Sequence, residues 1–266
     1  MAIHPLTSLS LEARQKIRFI LTDVDDTLTW EGRLPVAALS ALSALEQAEI
    51  KVIPVTGGCA GWSDMMARTL PVSGVITEGG ACYIHKDEQG HLDYQFWHDE
   101  VQMRAEKSTL LEKVIPILAD YPPLKLARDQ DFRITDVAID FAQDVAPPAI
   151  QAKDQLLVHL QNMQLNAKAS SIHINLCQPG YDKFTMAERV LMNQYGLSAE
   201  QMREQVLYVG DAPNDESMFA RFPLSVGVAN IIDHLPKLKC PPTFITQSFG
   251  GLGFAEVADF LLLAKR

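Results

Sequence analysis

The chain lacks the features that would place it in several large classes of protein. Its 266 residues include only four cysteines, Cys59, Cys82, Cys177 and Cys240, and no Cys-x-x-Cys pair. That spacing gives neither a zinc knuckle nor a disulfide frame, and it reads as reduced thiols in a cytoplasmic protein. No apolar run approaches the ~18–20 residues that a membrane span requires. The longest, Phe260-Leu261-Leu262-Leu263-Ala264, reads as the inner face of a last helix. The first segment carries Glu12, Arg14, Lys16 and Arg18 and has no apolar core, so no secretory leader is expected. Basic residues are also scarce: 23 against 33 acidic ones, a net charge of −10. That balance disfavours nucleic acid and anionic membranes as partners, since both select a basic face. There is no internal repeat or low-complexity tract.

What is present is an ordinary soluble composition, 47% hydrophobic and 21% charged, with a pattern that changes twice along the chain. Ile17–Leu21, Lys51–Val55 and Gly74–Thr77 read as buried strands. Between them lie helical spacings over Leu34–Ala48 and Cys59–Leu70. This is β-α-β-α-β, the pattern of a parallel sheet. The middle differs. Ala81–Ile84 and Leu92–Trp97 flank a turn and predict a hairpin. A helix over Val101–Ala119 is followed by strands Leu124–Arg128 and Asp136–Phe141. A second helix, Ala149–Met163, is followed by strands Leu165–Ser170 and Ser171–Cys177. A helix and two strands, twice, predict an antiparallel α+β layer. The parallel pattern then returns with a helix over Asp182–Tyr195 and a strand over Val206–Val209. Helix Pro213–Phe222, strands Leu224–Val228 and Thr243–Thr246, and helix Phe254–Ala264 complete it. The expected fold class is α/β, a Rossmann-like parallel-sheet core with an inserted α+β cap domain. The expected bounds are 1–83 plus 181–266 for the discontinuous core and 84–180 for the cap.

Four short pieces carry the chemistry: Asp23-Val24-Asp25-Asp26-Thr27, Val55-Thr56-Gly57-Gly58, Lys183, and Gly210-Asp211-Ala212-Pro213-Asn214-Asp215. The first, second and fourth follow apolar strands, and ligands bind at strand ends in open α/β sheets. Asp23 and Asp25 flank one residue, so in extended chain they point to one side. Two carboxylates so placed repel unless a cation lies between them, and Mg²⁺ favours such oxygen ligands. Thr56 and the free amides of Gly57 and Gly58 can cradle phosphate oxygens. Lys183 in a first helical turn opposes the helix dipole, which an anionic ligand nearby would explain. Taken singly, these are also an acidic turn, a helix cap, a surface lysine and dipole-favoured aspartates. The joint pattern is what points to phosphate transfer onto a carboxylate.

In this order the four pieces resemble motifs one to four of the haloacid dehalogenase superfamily of Mg²⁺-dependent phosphohydrolases. The inserted block resembles the type-two cap of Cof-like, sucrose-phosphate, mannosyl-phosphoglycerate and trehalose-phosphate phosphatases and of phosphomannomutases. The resemblance implies that Asp23 is the nucleophile that becomes aspartyl-phosphate and Asp25 the general acid and base. It implies phosphate binding by Thr56, Gly57, Lys183 and Asn214, with Lys183 also steadying the nucleophile. It implies a Mg²⁺ set of Asp23, Asp25 (through its carbonyl), Asp211 and Asp215. Two positions depart from many Cof-like relatives: Gly58 stands where they have Arg, and Gly79-Gly80 where they have Asn-Gly.

The implied activity is hydrolysis of a small phosphorylated metabolite, with a sugar phosphate expected. A phosphosugar mutase is the alternative, because Cys177-Gln178-Pro179-Gly180-Tyr181-Asp182-Lys183 is similar to the approach to motif three in phosphomannomutases. A receiver domain is excluded by length and by the inserted cap. A catalytically inactive binding protein is disfavoured by the complete set Asp23, Asp25, Thr56, Lys183 and Asp211. In the cap, strand alternation places Asp140, Lys168, His173 and Asn175 on one polar sheet face, the expected substrate surface, with Ile172, Ile174 and Leu176 opposite.

Overall fold

The computed structural model of the protein describes residues 3–265. The first flank runs β1 (His4–Pro5), α1 (Leu11–Lys16), β2 (Phe19–Thr22), α2 (Val36–Gln47), β3 (Lys51–Pro54), α3 (Ala60–Thr69) and β4 (Val75–Thr77). The hairpin β5 (Cys82–Lys86) and β6 (Leu92–Phe96) follows. Then come α4 (Glu100–Leu118), β7 (Lys125–Leu126), β8 (Val137–Asp140), α5 (Ile150–Asn162), β9 (Asn166–Ala169) and β10 (His173–Cys177). The last flank is α6 (Lys183–Asn193), α7 (Ala199–Gln205), β11 (Val206–Gly210), α8 (Glu216–Arg221), β12 (Ser225–Gly227), β13 (Phe244–Ile245) and α9 (Gly250–Leu262). Among the described residues no helix is long and apolar enough to cross a membrane.

The main sheet has the order β1-β13-β12-β11-β2-β3, with every pairing parallel. Two adjacent inner strands, β2 and β11, are buried along their whole length, as expected when helices cover both faces. The alternation of side chains divides the core into two halves. Ile20, Val52, Leu207 and Val209 point to one face, where Leu42 and Leu45 of α2 and Phe254, Val257 and Leu261 of α9 cover them. Leu21, Ile53, Val206 and Tyr208 point to the other, against Met186, Val190 and Leu191 of α6 and Met218 and Phe219 of α8. The carboxyl ends of β2, β3 and β11 thus open on one edge, where the turns that carry Asp23, Thr56 and Asp211 emerge.

The antiparallel layer is a sheet of order β7-β8-β10-β9. Ile174 and Leu176 pack with Val137 and Ile139 against Leu110 and Val114 of α4 and Leu156 and Leu160 of α5. The register aligns His173 with Asp140 and Asn175 with Lys168, so the polar residues do share the opposite face.

The hairpin departs from expectation. It was placed with the inserted layer, but β5 pairs antiparallel with β4, which touches the main sheet through a parallel bridge from Val55 to Ile76. The hairpin therefore extends the parallel core rather than the cap sheet. The last helix also starts earlier than its apolar run suggests. Gly250 and Gly251 form its first turn because the chain lies against motif one there. A Cβ on Gly251 would sit 2.5 Å from the Leu28 carbonyl oxygen, so only glycine permits this approach.

Candidate active site

Asp23 closes β2, and its amide donates to the Val209 carbonyl of β11 at 2.9 Å. The nucleophile candidate is therefore fixed by the same ladder that holds these two inner strands together. Lys183 opens α6, and its Nζ atom donates to Asp23 Oδ1 at 2.9 Å and to Asp215 Oδ1 at 2.7 Å. Its placement against the helix dipole is offset by two buried carboxylates. Asp182 caps the same helix in a reciprocal box with Thr185, which fixes the direction in which Lys183 leaves it. Gly80, the glycine that this chain shares with the Asn-Gly pair of those relatives, has a reason here. With φ +110 it lies under motif three, where a Cβ would meet the Asp182 carbonyl oxygen at 2.2 Å.

Asp215 is held from every side. Tyr208 donates to its Oδ1 at 2.6 Å, and the amides of Asp211 and Ala212 donate to Oδ2 at 3.0 and 3.3 Å. Asp211 accepts from Thr27 Oγ1 and from Asn230 Nδ2, each at 3.0 Å. Asn230 also donates to the Asp26 carbonyl and accepts from Gly250, so one amide joins motif one, motif four and α9. Carboxylate oxygens of Asp23, Asp211 and Asp215 lie within 4.8 Å of one another. The Asp25 carboxylate is not part of this triad and lines the same cavity as Asp23.

Three carboxylates around one ammonium are short of positive charge. Burial first, then repulsion from Asp215, pushes the Asp23 carboxyl up to about 7 against the pull of Lys183. Burial and the same neighbours push Asp211 well above the usual carboxylate range. Burial and Asp26 raise Asp25 to about 6. An oxygen-only donor set with this imbalance fits a hard divalent cation.

Thr56 differs from expectation in where its hydroxyl points. Oγ1 accepts from the Gly58 amide at 2.8 Å, closing the turn on itself. Gly57 and Gly58, not Thr56, line the cavity with Asp23, Asp25, Asp211, Ala212 and Asn214. The roof of that cavity is Ser170, Ser171, His173 and Asn175 of the cap. Its free volume is ≈10 Å³, about one water, so the structure is a closed state and a phosphoryl group enters only if the cap shifts. Asn175 reaches across to donate to the Gly57 carbonyl at 3.0 Å. The imidazole of His173 is buried, and burial with the nearby Arg133 charge lowers it to about 4, so it is neutral. Lys168 is exposed and borders a neighbouring cavity. Asp140 is not at the site. Its carboxylate accepts from the amides of Ala142, Gln143 and Asp144, capping the loop after β8, so its polar position in the strand serves the cap itself.

Several residues that hold the site were not singled out from the sequence. Arg133 donates through Nη1 to the Gly57 carbonyl at 3.0 Å and to both oxygens of Asp136 at 2.9 Å, and pairs with Asp129. Glu78 sits in the left-handed region at φ 50. It accepts from Ala60 N at 2.9 Å, Ile134 N at 2.8 Å, Thr135 N at 2.6 Å and Thr135 Oγ1 at 2.5 Å. Residues 133–136 are thus strapped to the phosphate-loop side of the core by two buried charges. Thr27, Asn230 and Tyr208 complete the set. Thr27 stood inside the acidic motif, and the others carried no local signal.

Fold and site together fit a capped α/β phosphohydrolase with a buried carboxylate cluster at its strand ends. The comparisons agree. The family profile of haloacid dehalogenase-like hydrolases matches residues 119–240. A phosphoglycolate phosphatase of Methanothermobacter thermautotrophicus is 26% identical over 243 residues, covering 90% of this chain and 96% of the relative. One from Methanosarcina acetivorans is 24% identical, covering 92% and 97%. Among solved structures, a Thermoplasma acidophilum protein superposes with a TM-score of 0.69 at 20% identity, covering 93% of this chain and 99% of the other. The C-terminal domain of the C. albicans trehalose-6-phosphate phosphatase gives a TM-score of 0.69 at 18% identity, covering 99% and 98%. These matches support a type-two phosphohydrolase of the haloacid dehalogenase superfamily and an enzyme of the phosphatase kind.

Proposed function

We propose that the protein is a Mg²⁺-dependent phosphomonoester hydrolase of small metabolites that works through an aspartyl-phosphate on Asp23. The observation that carries this is the arrangement of Asp23, Lys183, Asp215 and Asp211 at the ends of two adjacent inner strands, facing the turn of Gly57 and Gly58. Asp23, Asp211, Asp215 and the Asp25 carbonyl would hold the cation. When bound, the cation neutralises phosphate charge and brings the anionic ester up to an anionic nucleophile.

The other steps belong to the chain. Lys183 holds one oxygen of Asp23 and leaves the second free to attack phosphorus. The Gly57 amide receives an equatorial oxygen in which charge accumulates, while the Gly58 amide keeps the turn closed on Thr56 Oγ1. Asp25, raised to about 6, carries the proton given to the departing alkoxide, then takes one from the water that hydrolyses the acyl phosphate. The cap residues Ser170, Ser171, His173 and Asn175 close over the phosphoryl group and exclude bulk water. The inserted layer, 84–180 by the sequence pattern and with its hairpin on the core side, is the specificity domain in this reading.

The sequence points to sugar phosphates, and the names of the archaeal relatives add phosphoglycolate. The test is phosphate release from a panel holding both kinds of ester, with Mg²⁺ and then with excess chelator. Turnover that chelation abolishes and Mg²⁺ restores supports the reading. Full activity in chelator, or no release from any ester, contradicts it.

A further inference from the structure

Buried polar atoms without partners are rare and costly in folded proteins. Among the described residues five side-chain atoms are so placed, and three of them surround the active site: His173 Nε2, Asn214 Oδ1 and Tyr181 Oη. Two cavities meet there. The smaller lies over Asp23 and Asp25. The second, ≈50 Å³, is lined by Tyr181, Lys168, Asn214, Ser217, Cys177 and Lys183 among others. Gly57, Ser170, Asn175 and Asn214 border both. These shared walls place the second cavity beside the phosphoryl position over Asp23.

The second cavity offers room beside the phosphoryl position. Its free volume, roughly three to five waters, is that of a two- or three-carbon fragment before any shift of the cap. Its charges are unequally committed. Glu78 and Asp136 also border it. Glu78 is saturated by four donors, and Asp136 is held by Arg133 and Asn175. Lys183 is held by Asp23 and Asp215. The uncommitted groups are mainly donors. Tyr181 is 4% exposed and its ring is fixed against Trp97 and Met103, with only the Cys177 thiol beside its hydroxyl. Lys168 has no ion pair or hydrogen bond among the described residues.

Resting on the proposed phosphatase function, we propose that Tyr181 and Lys168 form a leaving-group subsite for the carboxylate of a two- or three-carbon phosphorylated hydroxy acid. The fixed phenol donates to one carboxylate oxygen, and the Lys168 ammonium closes on the other from the solvent side as a charge-assisted partner. Asn214 borders both cavities between the phosphoryl position and this subsite.

The test compares kcat/KM for phosphoglycolate and for ethyl phosphate, which has similar size and no carboxylate, in wild type, Lys168→Gln, Lys168→Arg and Tyr181→Phe. Melting temperature checks that each variant folds. The wild type is expected to prefer phosphoglycolate. Lys168→Gln should lower that preference at least tenfold through KM, Lys168→Arg should retain most of it, and Tyr181→Phe should lower it severalfold. No preference in the wild type overturns the subsite while leaving the phosphatase reading standing. So does a preference unchanged in both Lys168→Gln and Tyr181→Phe, or a hexose phosphate preferred over both esters. Failure of the wild type to release phosphate from any ester overturns the phosphatase reading, and the subsite with it.

Discussion

In the floor of the cavity, Asp215 accepts from Lys183, Tyr208 and two backbone amides, and Asp211 accepts from Thr27 and Asn230. In the roof, His173 Nε2 has no partner among the described residues, and Lys168 reaches solvent. Floor residues stand on parallel strands that are buried end to end, whereas roof residues stand on one face of a four-stranded sheet whose hydrophobic packing lies on the other face. The difference separates two jobs. Groups that must stabilise charge during transfer are preorganised by neighbours that do not move. Groups that select a leaving group keep unpaired donors for it.

The sharpest way to break this comparison is to remove the attacking charge and leave the floor's shape. Asp23→Asn should lower kcat by roughly four orders of magnitude with folding retained. Phosphate release within about tenfold of wild type would remove Asp23 from its role. The junction of floor and roof can be probed next. Glu78→Ala strips partners from the amides of Ala60, Ile134 and Thr135. At about 1 kcal/mol or more for each buried donor left unpaired, urea denaturation should show a loss of about 3 kcal/mol. A loss below about 1 kcal/mol would mean that the strap holds nothing.

The smallest expected effect sharpens the roof alone. His173 is buried and neutral, with burial and Arg133 lowering it to about 4 while Asp129, Asp140 and Asp144 pull the other way. In the unfolded chain it binds a proton below about 6.5. Between those values the unfolded state holds the extra proton, so this group's contribution to stability is present above about 6.5 and is lost as the pH falls toward 4. His173→Asn should flatten the pH dependence of unfolding free energy in that window, and an unchanged slope would contradict the burial of the neutral ring.

The floor was legible in the sequence because its chemistry is local. Asp23 and Asp25, the glycines after Val55, and Asp211 through Asp215 each end an apolar strand, and the residue types state their task. The strap was not legible. Arg133 and Gly57 are 76 residues apart, and a buried ion pair built from a cap loop has no periodicity to reveal it. Asp140 misled because alternation fixes a face but not a partner, and the amides of the next loop reached it first. The helices α1 and α7 escaped because they are short, although Ser10 and the reciprocal box of Ser198 and Gln201 marked their starts. The hairpin was visible as a hairpin, but whether it joined β4 or the cap sheet depended on pairing that no local pattern encodes.

The measurement that tests the central claim most directly is acid-quenched peptide mapping of the enzyme during turnover of a ³²P-labelled ester with Mg²⁺, in wild type and in Asp25→Asn. The account predicts acid-stable, hydroxylamine-labile label on the peptide that carries Asp23, with more of it in Asp25→Asn because the water that clears it is no longer activated. Label on any other residue, or turnover by the wild type with no label on that peptide in either protein, would contradict the account.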